Sequence, residues 1–125
     1  MPVLVHSSLW VHQLRKGGDP AKRDRVNALL ESGEAAWCPP VRLEAGRGIT
    51  NDAERKTLRR YEALLPDYEI SPEVWNRSIR LADRGRASGV TVPLADLVIF
   101  ACARIHGLDV AQDDTHFDDL AKLEA

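Results

Sequence analysis

Short apolar segments alternate with longer amphipathic segments along the chain. Four short and mostly apolar segments predict β-strands: residues 2–6, 34–38, 68–70 and 108–111. The segments between them carry apolar residues at helical spacing, as at Leu58, Tyr61 and Leu65. Because strands that alternate with helices build a parallel sheet covered by helices, the pattern predicts an α/β fold.

Capping residues, prolines and glycines mark the predicted ends of the helices. The predicted N-caps are polar residues just before helical segments: a serine of the pair Ser7 and Ser8, Asp19, Asn51 and Ser71. Pro39 and Pro93 are predicted to open two further helices. The second of these is apolar on nearly every face as far as His106, which predicts that it is buried. Residues 84–89 are polar and glycine-containing, and they are predicted to form a loop.

The length and composition are those of an ordinary globular protein. The chain has 125 residues, which predicts one domain over residues 1–125. Apolar residues make up 44% and charged residues 29%, and the net charge of −2 excludes a strongly basic nucleic-acid binder of the histone kind. No apolar run approaches the roughly 20 residues that span a bilayer, and the N-terminus lacks the features of a signal peptide. A cytoplasmic protein without a membrane partner is therefore expected.

The sequence lacks the common motifs for nucleotide cofactors, serine hydrolases and zinc sites. It contains no GxGxxG, GxxxxGK[ST] or GxSxG segment, and its four histidines have neither HExxH nor zinc-finger spacing. Cys38 and Cys102 are far apart in sequence and form no CxxC motif. They are therefore predicted to be buried thiols rather than a disulfide or a metal-binding pair.

Acidic residues lie at several predicted strand and helix ends. Asp96 is the one charged residue in the first two turns of the most apolar helix, and Glu44 lies on the short helix behind a double proline. Asp113 and Asp114 follow the last predicted strand. Taken alone, Asp96 also fits a first-turn residue bound by backbone N–H groups, Glu44 fits a solvated helix residue, and Asp113 and Asp114 fit a turn pair. Together they predict a carboxylate cluster that needs a cation, for which Mg²⁺ and Mn²⁺ suit oxygen ligands.

Four segments resemble, in order, those of PIN-domain proteins, specifically the VapC-type toxin ribonucleases of bacterial toxin–antitoxin pairs. They are residues 3–10, residues 40–44 followed by Arg47 and Gly48, residues 92–96 with His106 and Gly107 ten residues on, and residues 114–117. The resemblance covers almost the whole chain and implies an α/β/α sandwich with a central parallel sheet. It also implies four acids that hold one or two Mg²⁺ or Mn²⁺ ions, which activate a water for cleavage of RNA.

The resemblance assigns the catalytic and metal-binding residues one by one. It maps the second acid of the family to Glu44, the third to Asp96 and the fourth to Asp114, with Asp113 as a neighbour that takes over this role if the register differs by one. Ser8 matches a hydroxyl that usually lies beside the metal.

The first acid of the family is replaced by His6, which ends the first predicted strand and stands in the position of a metal ligand. The replacement removes one negative charge and two hard oxygen ligands, and imidazole suits Mn²⁺ or Zn²⁺ better than Mg²⁺. We therefore expect impaired ribonuclease activity in Mg²⁺. The alternatives are a catalytically inactive PIN module that binds antitoxin or RNA, and an unrelated α/β hydrolase that uses three acids.

The resemblance also implies three partners: an RNA substrate such as tRNA or rRNA, a VapB-type antitoxin that wraps an apolar groove, and a second copy in a homodimer. Apolar residues of the first two helices are predicted to form the groove: Trp10, Val11, Leu14, Val26, Leu29 and Leu30. Basic residues near loops are candidate RNA contacts: Arg15, Lys16, Arg42, Arg47, Arg84 and Arg86. Trp10, Trp75 and Phe100 lie on apolar stripes and are predicted to be core residues.

Overall fold

The computed structural model describes residues 1–113 and 115–124, and in this part of the chain a small sheet lies among seven helices. The elements in chain order are β1 (Val3–Val5), α1 (Ser7–Leu14), α2 (Pro20–Glu31), β2 (Ala35–Ala36), α3 (Pro39–Arg47), α4 (Asp52–Leu64), α5 (Pro72–Ser88), α6 (Leu94–His106), β3 (Asp109–Ala111) and α7 (His116–Glu124). None of the helices in the described residues is both long and apolar enough to cross a bilayer.

The sheet is parallel, in the order β2-β1-β3, with β1 at its centre. Leu4 and Val5 are fully buried, as expected for a central strand covered on both faces. The predicted strand at residues 68–70 is wrong. Only one bridge forms there, between Trp37 and Asp67, because the segment is confined between Pro66, which has no N–H, and the start of α5.

Most predicted helix ends are confirmed by their caps. The side chains of Asp19, Asn51 and Ser71 accept backbone N–H groups at the starts of α2, α4 and α5. The predicted serine cap of α1 is wrong, because the residue that caps this helix is His6, whose side chain accepts the N–H of Ser8.

The predicted loop at residues 84–89 is also wrong, since α5 continues to Ser88. Gly85 is needed inside the helix for close packing, because a Cβ there would lie 2.7 Å from the carbonyl oxygen of Val90. Gly89, with φ of +72°, is the glycine that ends the helix.

The core forms around α6, whose residues from Asp96 to Ala103 are all buried, as predicted. Trp10 and Trp37 are also fully buried, with ring centroids 5.3 Å apart. Trp75, by contrast, is 52% exposed, so its predicted core position is wrong. It lies on the outer face of α5, where its apolar spacing marks an open surface instead of the core.

Cys38 and Cys102 are free and buried, as predicted. The sequence did not reveal that the two thiols meet between the start of α3 and the middle of α6. A hydrogen bond with Cys102, together with burial, raises the pKa of Cys38 far above that of an ordinary thiol. The same hydrogen bond lowers the pKa of Cys102. Both side chains are packed in this part of the core.

Candidate metal centre

Three side chains from three separate elements converge at the carboxyl end of β1. His6 directly follows β1, Glu44 lies in α3, and Asp96 lies in the first turn of α6. One potential ligand atom from each residue lies within 4.8 Å of the corresponding atoms of the other two. His6 and Asp96 are each 4% exposed, and Glu44 is half-buried. The fold thus joins residues that are up to 90 positions apart in sequence.

Asp96 lies between two histidines. Its Oδ1 is 2.8 Å from Nε2 of His6, and its Oδ2 is 2.7 Å from Nδ1 of His116, the first residue of α7. Burial alone raises the pKa of Asp96, but the hydrogen bonds and charge interactions with His6, and then with His116, outweigh it and hold the pKa below its ordinary value. Acids that cluster without a cation raise one another's pKa, but the pKa of Asp96 shifts in the opposite direction because it contacts two histidines.

Glu44 is held by a hydroxyl from the neighbouring helix. Ser7, the first residue of α1, donates its hydroxyl to Oε1 of Glu44 at 2.7 Å. The helix that carries Glu44 starts with Pro39 and Pro40, which are well suited to a first turn because their fixed φ matches it. Local sequence therefore fixes where α3 begins, and Ser7 fixes the position of the carboxylate.

His6 is bound through both ring nitrogens. Nδ1 accepts the backbone N–H of Ser8 at 3.1 Å and also lies 2.9 Å from the Ser8 hydroxyl. The Ser8 hydroxyl oxygen in turn accepts the backbone N–H of Asp113 at 3.0 Å. The ring of Phe117 contacts the His6 ring edge-on, with centroids 4.9 Å apart. Ser8 thus links the end of β1 to the segment after β3 and does not itself belong to the three converging residues.

The two remaining predicted acids have different outcomes. Asp113 is exposed and its carboxylate pairs with Lys22 of α2, which lowers the pKa of Asp113. Its carboxylate is therefore engaged outside the group formed by His6, Glu44 and Asp96. Asp114 lies outside the described residues.

Sequence reasoning missed His116. It belongs to the segment 114–117 that carries part of the family resemblance, but no spacing links it to Asp96, which is 20 residues away. The signal that identifies it is tertiary, since α7 must pack on α6 before the two side chains can meet.

The three converging residues suit a divalent cation. Two carboxylates supply hard oxygen ligands and His6 supplies a nitrogen, a mixed set of the kind that binds Mn²⁺ and other first-row ions. The carboxylates are separately bound by Ser7 and His116, so their positions are fixed before a cation arrives. This arrangement provides a compact negative site at one edge of the sheet.

Comparison of the sequence with known proteins gives the family. The sequence matches the PIN domain family over residues 3–123. It is 33% identical over 109 residues to Ribonuclease VapC21 of Mycobacterium tuberculosis, in the strains CDC 1551 / Oshkosh and ATCC 25618 / H37Rv, an alignment that covers 83% of this chain and 78% of the relative.

Two solved structures share the fold at low sequence identity. The crystal structure of VapBC2 from Rickettsia felis, bound to a DNA fragment from their promoter, has a TM-score of 0.75 and 12% identity, covering 95% of this chain and 92% of the other. FitAcB from Neisseria gonorrhoeae has a TM-score of 0.73 and 17% identity, covering 96% and 93%. The predicted parallel α/β fold is thereby confirmed, and the chain belongs to the PIN-domain family, within its VapC-type ribonucleases.

Proposed function

We propose that this VapC-type ribonuclease is a metal-dependent endoribonuclease toxin, formed by a single PIN domain over residues 1–125, whose activity in Mg²⁺ is impaired by His6. The observation that carries the proposal is the convergence of His6, Glu44 and Asp96 within 4.8 Å at the end of β1. Two acids that the family resemblance assigned independently lie in this group. The one departure from the family's acids, His6, lies there as well.

Glu44 and Asp96 are the residues that would hold the cation, with Asp114 proposed as a further acid. A bound divalent ion supplies an activated water and neutralises charge on the scissile phosphate. Ser7 fixes Glu44, and His116 fixes Asp96, so neither carboxylate has to be reoriented when the cation enters. Ser8 positions the His6 ring from the opposite side.

His6 is the reason for expecting weak activity in Mg²⁺. Replacing an anionic oxygen ligand with imidazole reduces the negative charge of the site and leaves a ligand that suits Mn²⁺ better than Mg²⁺. We therefore propose Mg²⁺ or Mn²⁺ as the cofactor, with faster cleavage in Mn²⁺.

The RNA substrate, proposed to be tRNA or rRNA, would approach from the side of α1 and α3. Arg15 borders a small depression that also contains Ser7 and Glu44, and Arg47 is exposed in the last turn of α3. Arg15 is therefore the candidate cation that borders the proposed site of phosphate cleavage, whereas Arg47 lines a different surface of α3. Arg42, another candidate from the sequence, is engaged by Glu62 and Asp67 and is a weaker choice.

A VapB-type antitoxin is the proposed protein partner, together with a second copy of the chain in a homodimer. The first two helices do not supply the predicted groove, because Trp10 and Val26 are fully buried. An open groove of about 1210 Å³ lies instead between α3, α4, α5 and α6. Its exposed apolar residues include Leu43, Trp75 and Leu94, and these make it the proposed antitoxin surface.

The test is cleavage of total tRNA and rRNA by the purified chain in Mg²⁺ and in Mn²⁺. We expect slow cleavage in Mg²⁺, faster cleavage in Mn²⁺, and none from Glu44→Gln in either ion. Asp113→Asn is the matched control, because its carboxylate binds Lys22 outside the group, and it should cleave like the original chain. Binding of RNA or antitoxin without cleavage under any condition would instead favour the inactive binding module.

A further inference from the structure

The contacts of His6 with Ser8 and Asp96 offer two hydrogen-bonding arrangements, which differ in the ring nitrogen that carries the proton. The N–H of Ser8 can only donate, and it points at Nδ1 of His6 over 3.1 Å. When this bond is made, Nδ1 is the unprotonated nitrogen and the ring proton is on Nε2, 2.8 Å from Oδ1 of Asp96. In this form the lone pair of Nδ1 accepts the Ser8 N–H as the N-cap of α1, and Nε2 carries an N–H that faces Asp96.

Ser8 also offers His6 a second hydrogen-bonding arrangement. Its hydroxyl lies 2.9 Å from Nδ1, and a hydroxyl oxygen can accept as well as donate. The same oxygen accepts the N–H of Asp113, which holds the hydroxyl in place and leaves a second lone pair available. A proton on Nδ1 would therefore find an acceptor 2.9 Å away, and Nε2 would then face Glu44 and Asp96 with its lone pair.

The surroundings of the site favour this second arrangement when a cation is present. Glu44 is bound from outside the group by Ser7, Asp96 by His116, and His6 by Ser8. Protein metal sites are built in this way, with each ligand oriented by an outer hydrogen-bond partner. The Ser8 hydroxyl is placed where a metal-bound histidine needs an acceptor for its other ring N–H.

We propose that His6 alternates between two roles: it is the N-cap of α1 through Nδ1 in the absence of a cation, and a nitrogen ligand through Nε2 when a divalent cation is bound. The ring proton moves from Nε2 to Nδ1 through exchange with solvent, and the Ser8 hydroxyl accepts it there. This inference rests on the proposed metal dependence and explains how a histidine replaces the family's acid.

Two consequences follow from the exchange of roles. A nitrogen ligand favours Mn²⁺, Co²⁺ or Zn²⁺ over Mg²⁺, so His6 determines which ion the site selects. Cation binding also removes the N-cap bond at Ser8. The amide hydrogen of Ser8 should then exchange with solvent faster, by about fivefold, which corresponds to the loss of one capping interaction.

The test is nitrogen NMR of the ¹⁵N-labelled full chain, without a cation and with Zn²⁺, which is diamagnetic. Long-range proton–nitrogen spectra report which ring nitrogen of His6 carries the proton. We expect the proton on Nε2 without Zn²⁺, and on Nδ1 with Zn²⁺, when the Nε2 signal moves to the position of a metal-bound nitrogen. Ser8→Ala should weaken Zn²⁺ binding by about tenfold or more, because the acceptor for Nδ1–H is lost, whereas the exposed Ser88→Ala should not.

Three results would overturn the proposal: Zn²⁺ that binds while His6 keeps its proton on Nε2, the absence of Zn²⁺ binding at millimolar concentration, or equal affinities of Ser8→Ala and Ser88→Ala. RNA cleavage is measured separately on the same samples. Cleavage without the change at His6 contradicts the role of His6 and leaves the proposed ribonuclease function intact. The change at His6 without cleavage in any ion supports its role as a ligand and contradicts the proposed function.

Discussion

The carboxyl ends of β1 and β3 are neighbours in the sheet, yet their polar residues have different surroundings. His6, directly after β1, is buried and contacts Asp96. Asp113, two residues after β3, is exposed and binds Lys22, although its backbone is joined to Ser8. A position at a strand end therefore brings a residue to the right edge of the sheet. Its side-chain partner decides whether it takes part in the site.

The largest expected effect comes from removing one acid from each environment. Asp96→Ala should lower the free energy of unfolding by about 3 kcal/mol or more, because two hydrogen bonds to a buried charged group are lost. Asp113→Ala should change it little, since that ion pair is exposed to solvent. Urea unfolding of both variants measures the difference. Equal losses would show that the two strand ends are energetically alike.

A second test changes the residue after β1 to the acid found in the family. His6→Asp should raise the rate of RNA cleavage in Mg²⁺ by at least about tenfold, equivalent to roughly 1.4 kcal/mol of added stabilisation by the cation. An aspartate is also a good N-cap, so α1 should remain intact. The rates are compared at equal protein concentration.

His12→Asp is the control for this test, because it makes the same charge change in the last turn of α1, outside the candidate site. It should not raise cleavage. If the original chain already cleaves in Mg²⁺ as fast as His6→Asp, position 6 is not a required ligand position.

The lowered pKa of Asp96 predicts a smaller, pH-dependent effect. Its ordinary value is 3.8, and in the folded chain it lies below this, so the unfolded chain binds more protons over the interval between the two values. The contribution of Asp96 to stability is therefore fully present above its ordinary pKa and is lost as the pH falls through the lowered one. Urea midpoints measured in acid should fall more steeply for the original chain than for Asp96→Asn. Parallel curves would contradict the lowered pKa.

Local chemistry accounts for the parts of the fold that the sequence predicted. Asp19, Asn51 and Ser71 mark helix starts because their side chains bind backbone groups within three residues. Gly85 and Trp75 were misread because their roles depend on distant neighbours. Gly85 permits close approach of Val90, and Trp75 lines an open groove formed by four helices.

The candidate site likewise contains residues that local position in the sequence reveals and one that only tertiary packing reveals. Glu44, Asp96 and His6 were found because each lies at the end of a predicted element, where a parallel sheet gathers side chains. His116 was not, because its contact with Asp96 exists only after α7 packs on α6. The capping role of His6 was missed for a different reason: the two serines that follow it are stronger capping residues by type, and only the backbone geometry selects the histidine.

The smallest expected effect is that of Ser7→Ala. It compares a residue that positions a proposed metal ligand with the ligand itself. Ser7→Ala removes the 2.7 Å hydrogen bond to Glu44 but leaves all three converging residues in place. The loss of one hydrogen bond to a carboxylate is worth about 1.5 kcal/mol, so cleavage in Mn²⁺ should fall by roughly tenfold or less. Ser88→Ala should have no effect. If Ser7→Ala abolishes cleavage as completely as Glu44→Gln, the hydroxyl has a direct part in the reaction. If it has no effect, the burial of Glu44 between α1 and α3 is sufficient to hold the carboxylate.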